Sequence, residues 1–144
     1  MISCLNGSSL WRDVTQTPVK VVDPSGSANN KLGHGGPSLS ADGLVLVASS
    51  PFDDVKGSDS GSVSVWERHS LSTSFSSVVP VKLVDPDGSD GDELGYGQPW
   101  LSASSLVLAV AAYGDDEGGD SSGSILVWER ASTSTSFADI TPVK

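Results

Sequence analysis

Ser62-Val63-Ser64-Val65-Trp66-Glu67-Arg68 returns 62 residues later as Ser124-Ile125-Leu126-Val127-Trp128-Glu129-Arg130, and this pair of segments decides the fold. Each follows a glycine, Gly61 or Gly123, and is rich in the β-branched and aromatic residues that suit a pleated sheet. The same 62-residue interval separates Pro18-Val19-Lys20, Pro80-Val81-Lys82 and Pro142-Val143-Lys144. Working outward, Val22-Asp23-Pro24 returns as Val84-Asp85-Pro86, and Leu32-Gly33 as Leu94-Gly95. Leu44-Val45-Leu46 returns as Leu106-Val107-Leu108, Asp53-Asp54 as Asp115-Asp116, and Phe75 as Phe137. Residues 17–78 lie over 79–140 without a gap, and about half the positions are identical, which chance does not produce over such a length. The domain reading is one repeat domain: repeat 1 at 17–78, repeat 2 at 79–140, partial strands at 1–16, and the start of a further repeat strand at 141–144.

Four strands are predicted in each unit. They cover 19–23 and 81–85, 36–40 and 98–102, 44–48 and 106–112, and 62–67 and 124–129. The third pair are unbroken apolar runs too short for helices, the pattern of a strand covered on both faces. Gly and Pro interrupt the chain too often for long helices, and 3.6-residue periodicity is absent. A unit of this length with four strands and a doubly buried middle strand matches a propeller blade. A β-solenoid is the competing layout, with coils usually shorter than this repeat. The predicted fold class is all-β: tandem four-stranded antiparallel β-propeller blades, incomplete or completed by oligomerisation.

The order of motifs resembles the FG-GAP repeats of integrin α-subunit head propellers and of many algal and bacterial surface proteins. Leu32-Gly33 and Leu94-Gly95 stand where that family has Phe-Gly. Ser49-Ser50-Pro51-Phe52-Asp53-Asp54 stands where many members have Gly-Ala-Pro-Tyr-Asp-Asp, with Ala111-Ala112-Tyr113-Gly114-Asp115-Asp116 as its looser counterpart. Gly61-Ser62-Val63-Ser64-Val65 and Gly123-Ser124-Ile125-Leu126-Val127 match the Gly-x-Val-x-Val strand. Trp11, Phe75 and Phe137 match the aromatic that opens the outermost strand. The resemblance covers nearly all of residues 8–144 and implies a surface-exposed or adhesive propeller module. The family's calcium cage does not carry over, because its place holds Pro37-Ser38-Leu39-Ser40-Ala41-Asp42-Gly43 and Pro99-Trp100-Leu101-Ser102-Ala103-Ser104-Ser105.

Charge narrows the partners. Eighteen acidic against eight basic residues leave a net charge of −10, and there is no basic stripe to neutralise phosphates. Nucleic acid is excluded as an expected partner, as is anionic membrane, and no run reaches the roughly 20 apolar residues of a membrane span. Cys4 is the lone cysteine, a small hydrophobe or an intermolecular thiol. Asn6-Gly7-Ser8 is a glycosylation sequon if the chain passes through a eukaryotic secretory pathway. The expected location is extracellular or on the cell surface, although no signal peptide is visible in the sequence.

Candidate chemistry lies in two acidic loops. Asp85, Asp87, Asp90, Asp92 and Glu93 fall within nine residues, and calcium takes six to eight oxygen ligands that such a loop can supply. Asp115, Asp116 and Asp120 form the second loop. Each is either a cation site or a solvated acidic turn. No other cofactor is expected. His34 and His69 lack histidine counterparts in the second unit, and no nucleophile elbow is present, so the chain reads as non-enzymatic. Trp66 and Trp128 belong to the repeated strand and read as packing residues, whereas Trp100 replaces Ser38 and is the better candidate for a contact surface.

Two blades cannot close a ring, and no polar capping unit is visible. The expected function is a structural or adhesive module that self-assembles head to tail, as a homo-oligomeric ring or filament, through blade faces and terminal strands. The alternative is a glycan- or protein-binding propeller fragment, with calcium dependence if the 85–93 loop takes part.

Overall fold

A computed structural model describes residues 18–144. Expectations for Cys4, Asn6, Trp11 and the 1–16 strands lie outside the described residues. The described residues are all-β, with two antiparallel sheets and two single-turn 3-10 segments, Phe75–Ser77 and Phe137–Asp139. Sheet 1 contains β1 (Ser38–Leu39), β2 (Val45–Ser50), β3 (Ser62–Glu67) and β4 (Val81–Leu83), paired in chain order. Sheet 2 contains β5 (Trp100–Leu101), β6 (Val107–Ala112) and β7 (Ser124–Glu129), again in chain order. Among the described residues the sheets close into neither a barrel nor a ring.

The strands differ from expectation at their outer edges. Residues 19–23 form no strand, and the Pro-Val-Lys segment of the second repeat, as β4, completes sheet 1. Val81 lies opposite Val65 and Leu83 opposite Val63. In sheet 2 the fourth strand is reduced to one bridge, Val127 to Val143. A three-stranded second sheet therefore replaces the expected four. The aromatics Phe75 and Phe137 open 3-10 turns, capped by Ser74 and Ser136, which accept from the backbone of Ser76 and Ala138.

Register assigns the faces. Val45, Val47, Ser49, Val63 and Val65 project from one side of sheet 1, since Val47 opposes Val65 and Ser49 opposes Val63. Leu108, Val110, Ala112, Leu126 and Trp128 project from one side of sheet 2. These two sides share one hydrophobic core with Leu83, Leu94 and Phe137. At a full burial gain of about 2 kcal/mol per large aliphatic side chain, this seam is the main apolar stabilisation of the described chain.

Backbone contacts fix the seam's register. Gly91, Glu93 and Leu94 donate to the carbonyls of Ser58, Asp59 and Ser60 at 2.8, 2.9 and 3.1 Å, and Leu94 bridges Gly61 in parallel. Gly61 has φ +84°, and a methyl there would fall onto the Leu94 backbone. Gly33 has φ +82° but open space beside it. Gly33→Ala is expected to cost about 1 kcal/mol from backbone strain alone. Gly61→Ala is expected to cost about 3 kcal/mol or more, because it also wedges the seam apart. Urea unfolding of the two variants measures the difference.

Candidate functional site

Lys82 sits in a strand whose other residues, Val81 and Leu83, are apolar. Its ammonium lies 2.8 Å from Asp23 and 2.5 Å from Asp53. Asp53 also accepts from the Ser62 hydroxyl at 2.7 Å, and Asp23 from the Ser25 backbone and hydroxyl at 2.8 and 2.7 Å. The device recurs one period later. Lys144 pairs with Asp85 at 2.9 Å, with Asp115, and with Glu117 at 3.2 Å, while Asp115 accepts from Ser124 at 2.7 Å. Each clamp joins an Asp-Pro turn, an acidic loop and a Pro-Val-Lys segment.

Burial works against both ion types here, and the partners outweigh it. Burial pushes the Asp23 carboxyl up, but Lys82 and Ser25 hold it below its ordinary 3.8. Asp115 is likewise lowered against its burial, by Lys144, the Glu117 backbone and Ser124. Burial pushes Lys82 and Lys144 down, yet their carboxylates raise both above the ordinary 10.5.

The acidic residues singled out from the sequence separate into two groups. Asp85, Asp92 and Asp115 come together, each buried, with one carboxylate oxygen apiece within 4.8 Å of the others. Lys144 already bonds two of them, and Asp92 accepts from the Ser89 backbone and hydroxyl at 2.7 and 3.0 Å. Three single oxygens beside an ammonium fall short of the six to eight that calcium takes. Asp87, Asp90, Asp116 and Asp120 are exposed; Asp90 accepts from the Ser58 backbone at 2.9 Å, and Asp116 from that of Ser121 at 2.6 Å.

A second repeated device crosses the seam. Arg130 is buried, stacks on Phe137 at 4.1 Å, donates to Ser105 and Thr135 carbonyls, and grips both Glu67 oxygens at 3.0 and 2.8 Å. Arg68, its counterpart, stacks on Phe75 at 4.3 Å and bonds the Gly43 and Thr73 carbonyls. Among the described residues Arg68 meets no carboxylate. Glu129, the counterpart of Glu67, is exposed.

Of the aromatic residues, Trp66 and Trp128 are both buried, and Trp100 is 73% exposed. A ladder not foreseen from the sequence runs His34, Tyr96, Tyr113, with ring centroids 4.8 and 5.5 Å apart, and Phe52 meets Tyr96 edge-on at 6.0 Å. His34 Nδ1 lies 3.2 Å from the Tyr96 carbonyl, whereas His69 lines an outer groove with Glu67 and Ser134.

The most consequential feature is the outer face of sheet 2. Val107, Ala109, Ala111, Ile125 and Val127 project there. In sheet 1 their counterparts are covered by sheet 2. Val63 is 0% exposed and Ile125 is 60% exposed, although they hold the same place in the repeat. Glu129 and Tyr113 border this face, and both are exposed.

No protein-family model matches the chain, and searches of curated proteins and of solved structures give no match. Among the described residues no helix is long and apolar enough to cross a membrane.

Replacing Lys82 leaves two buried carboxylates without their counter-ion. Lys82→Met is expected to lose about 3 kcal/mol, whereas Lys56→Met, on an exposed residue, should stay within about 0.5 kcal/mol. Stability should also report the clamps against pH. Because Asp23 and Asp115 lie below 3.8, their contribution is complete above that value and is lost as pH falls through their lowered pKa. Because Lys82 and Lys144 lie above 10.5, theirs is complete below it and is lost as pH rises beyond. Chemical denaturation across pH should give a broad plateau with both flanks falling, and Lys82→Met should flatten the alkaline flank.

Proposed function

We propose that this chain is a non-enzymatic structural module of FG-GAP type, its sheets acting as propeller blades, and that copies associate head to tail through the open face of sheet 2. The observation that carries this reading is the contrast between Val63 and Ile125: one face, twice built, is covered in the first unit and, among the described residues, exposed in the second. The occupant is a second copy of this chain, because the equivalent face of sheet 1 is covered by the corresponding side of a neighbouring unit.

Charge supports the polarity. At the internal seam Glu67 grips Arg130, and the unspent counterparts are Glu129 at one end and Arg68 at the other. Glu93 docks beside Asp59 at the seam, and its counterpart Lys31 would meet the acidic 115–120 loop of the receiving copy. The resemblance to surface repeat proteins supports an extracellular, adhesive setting. In this reading the cationic charge at Asp85 and Asp115 comes from lysine, so calcium is not required.

The purified chain is expected to form oligomers at micromolar concentration by light scattering, with no change on adding chelator. Ile125→Asp should abolish the oligomers while leaving monomer stability within about 0.5 kcal/mol, since the residue is exposed in the single chain. Glu129→Arg should weaken association by setting like charge against Arg68. A well-folded wild-type chain that stays monomeric overturns the proposal.

A further inference from the structure

Copies stacked in the geometry of the internal seam bring two segments to one place. Pro18-Val19-Lys20 of the incoming copy and Pro142-Val143-Lys144 of the receiving copy are equivalent by the 62-residue period, so both address the outer edge of β7. The corresponding edge of β3 shows what such a segment does when fully docked. Val81, Lys82 and Leu83 pair with Val65, Ser64 and Val63, and the Lys82 ammonium enters the Asp23 and Asp53 clamp.

On β7 the pairing among the described residues is shorter. Val143 exchanges two hydrogen bonds with Val127, at 2.8 and 2.9 Å, and Lys144 enters the Asp85 and Asp115 clamp. Ile125, the counterpart of Val63, has no partner on that edge among the described residues. Meanwhile residues 18–23 lie in no strand, and Val19 and Val22 are exposed at 58% and 54%. Lys20 forms no ion pair among the described residues.

We infer that the β7 edge, with its Asp85–Asp115 clamp, is a docking site for the Pro18–Asp23 segment of a second copy, whose Lys20 replaces Lys144. The inference rests on the head-to-tail reading and names the strand that seals it. The incoming segment supplies what 142–144 supplies and continues with Val21, which falls opposite Ile125. It is also tethered to the body that covers the open face, so edge and face form together, as in strand exchange between protomers. An edge filled this way no longer presents unpaired backbone groups to chance partners.

The probe is a synthetic peptide of residues 17–24, Thr-Pro-Val-Lys-Val-Val-Asp-Pro, titrated by calorimetry or fluorescence anisotropy into the full chain carrying Lys144→Ala. The peptide is expected to bind this variant more tightly than wild type, where Lys144 competes. Replacing lysine by alanine in the peptide should weaken binding about tenfold or more, the scale of one charge-assisted contact. Excess peptide should also slow wild-type self-association. If Lys144→Ala does not fold, by circular dichroism, a chain lacking residues 142–144 serves in its place. Absence of binding to a folded variant, or equal binding of the lysine and alanine peptides, overturns the inference. Oligomers that form and ignore the peptide would sink strand docking alone. A chain that binds the peptide yet stays monomeric would sink face stacking alone.

Discussion

Sheet 1 cannot stand in water by itself. One side carries Val45, Val47, Val63 and Val65, and these are buried only because Leu108, Val110, Leu126 and Trp128 lie over them. The remaining features of the molecule keep that cover in place. The backbone ladder from residues 58–60 to 91–94 sets the register, Ser49 donates to the Gly95 carbonyl at 2.6 Å, and Arg130 ties the outer margin to Glu67. Buried polar groups at such a boundary are costly when unpaired, so an incorrect register is penalised along the whole seam. The same requirement applies to the outer side of sheet 2, which presents the same kind of surface with none of the described residues over it.

The lysine clamps solve a different problem. A loop that gathers carboxylates needs positive charge to stay compact. A free ion would make the fold depend on its concentration, since binding free energy then becomes folding free energy. Here the charge is carried by the chain. Lys82 arrives on β4, the strand that also completes sheet 1, so neutralising Asp23 and Asp53 and pairing the edge of β3 are one event. Breaking such a pair from one side is far more costly than never having made it. Clamp and strand therefore act as a single latch between successive units.

Much of this was legible in the residues. The repeat, the all-β class and β3 and β7, at 62–67 and 124–129, follow from pattern alone, because alternation and a fixed period survive without knowledge of contacts. The latch is not legible in the same way, although its parts Val-Asp-Pro, Asp-Asp and Pro-Val-Lys all recur and a lysine retained within an apolar strand is its signal. Linear spacing hides it, since Asp23, Asp53 and Lys82 are distant in sequence. The same limit assigned the Pro-Val-Lys strand to the start of its own repeat, whereas hydrogen bonding gives it to the sheet before. Density of acidic residues in 85–93 leaves a cation site and a solvated turn both open; spacing alone does not tell that Asp87 and Asp90 are exposed, or that the third carboxylate beside Asp85 and Asp92 comes from Asp115. The aromatic ladder was invisible because His34 and Tyr96 are equivalent in place but not in type.

The seam is also directional and uneven, which bears on the form of any assembly. It joins one kind of face to another kind, Glu67 to Arg130 and never like to like, so repeating it generates a heterologous series and no two-fold dimer. Its filling differs between the two margins. Near β1 and β5 the backbones at Gly35 and Gly97 are so close that a methyl on Gly35 has no room. Near β4 the gap is filled by Phe137, with the large ring of Trp128 and the Arg130 guanidinium beside it. In the proposed stack, a tight margin at Gly35 and a bulky one at Phe137 would make each pair of sheets a wedge. Each further unit added by the same contacts would turn about the thin margin, so a stack built on this seam curves instead of running straight. Whether it closes depends on the rotation per unit, and the side chains at the thick margin set that angle. Trimming Phe137 would therefore alter curvature as well as stability, a coupling that a flat, two-sided stack would not have.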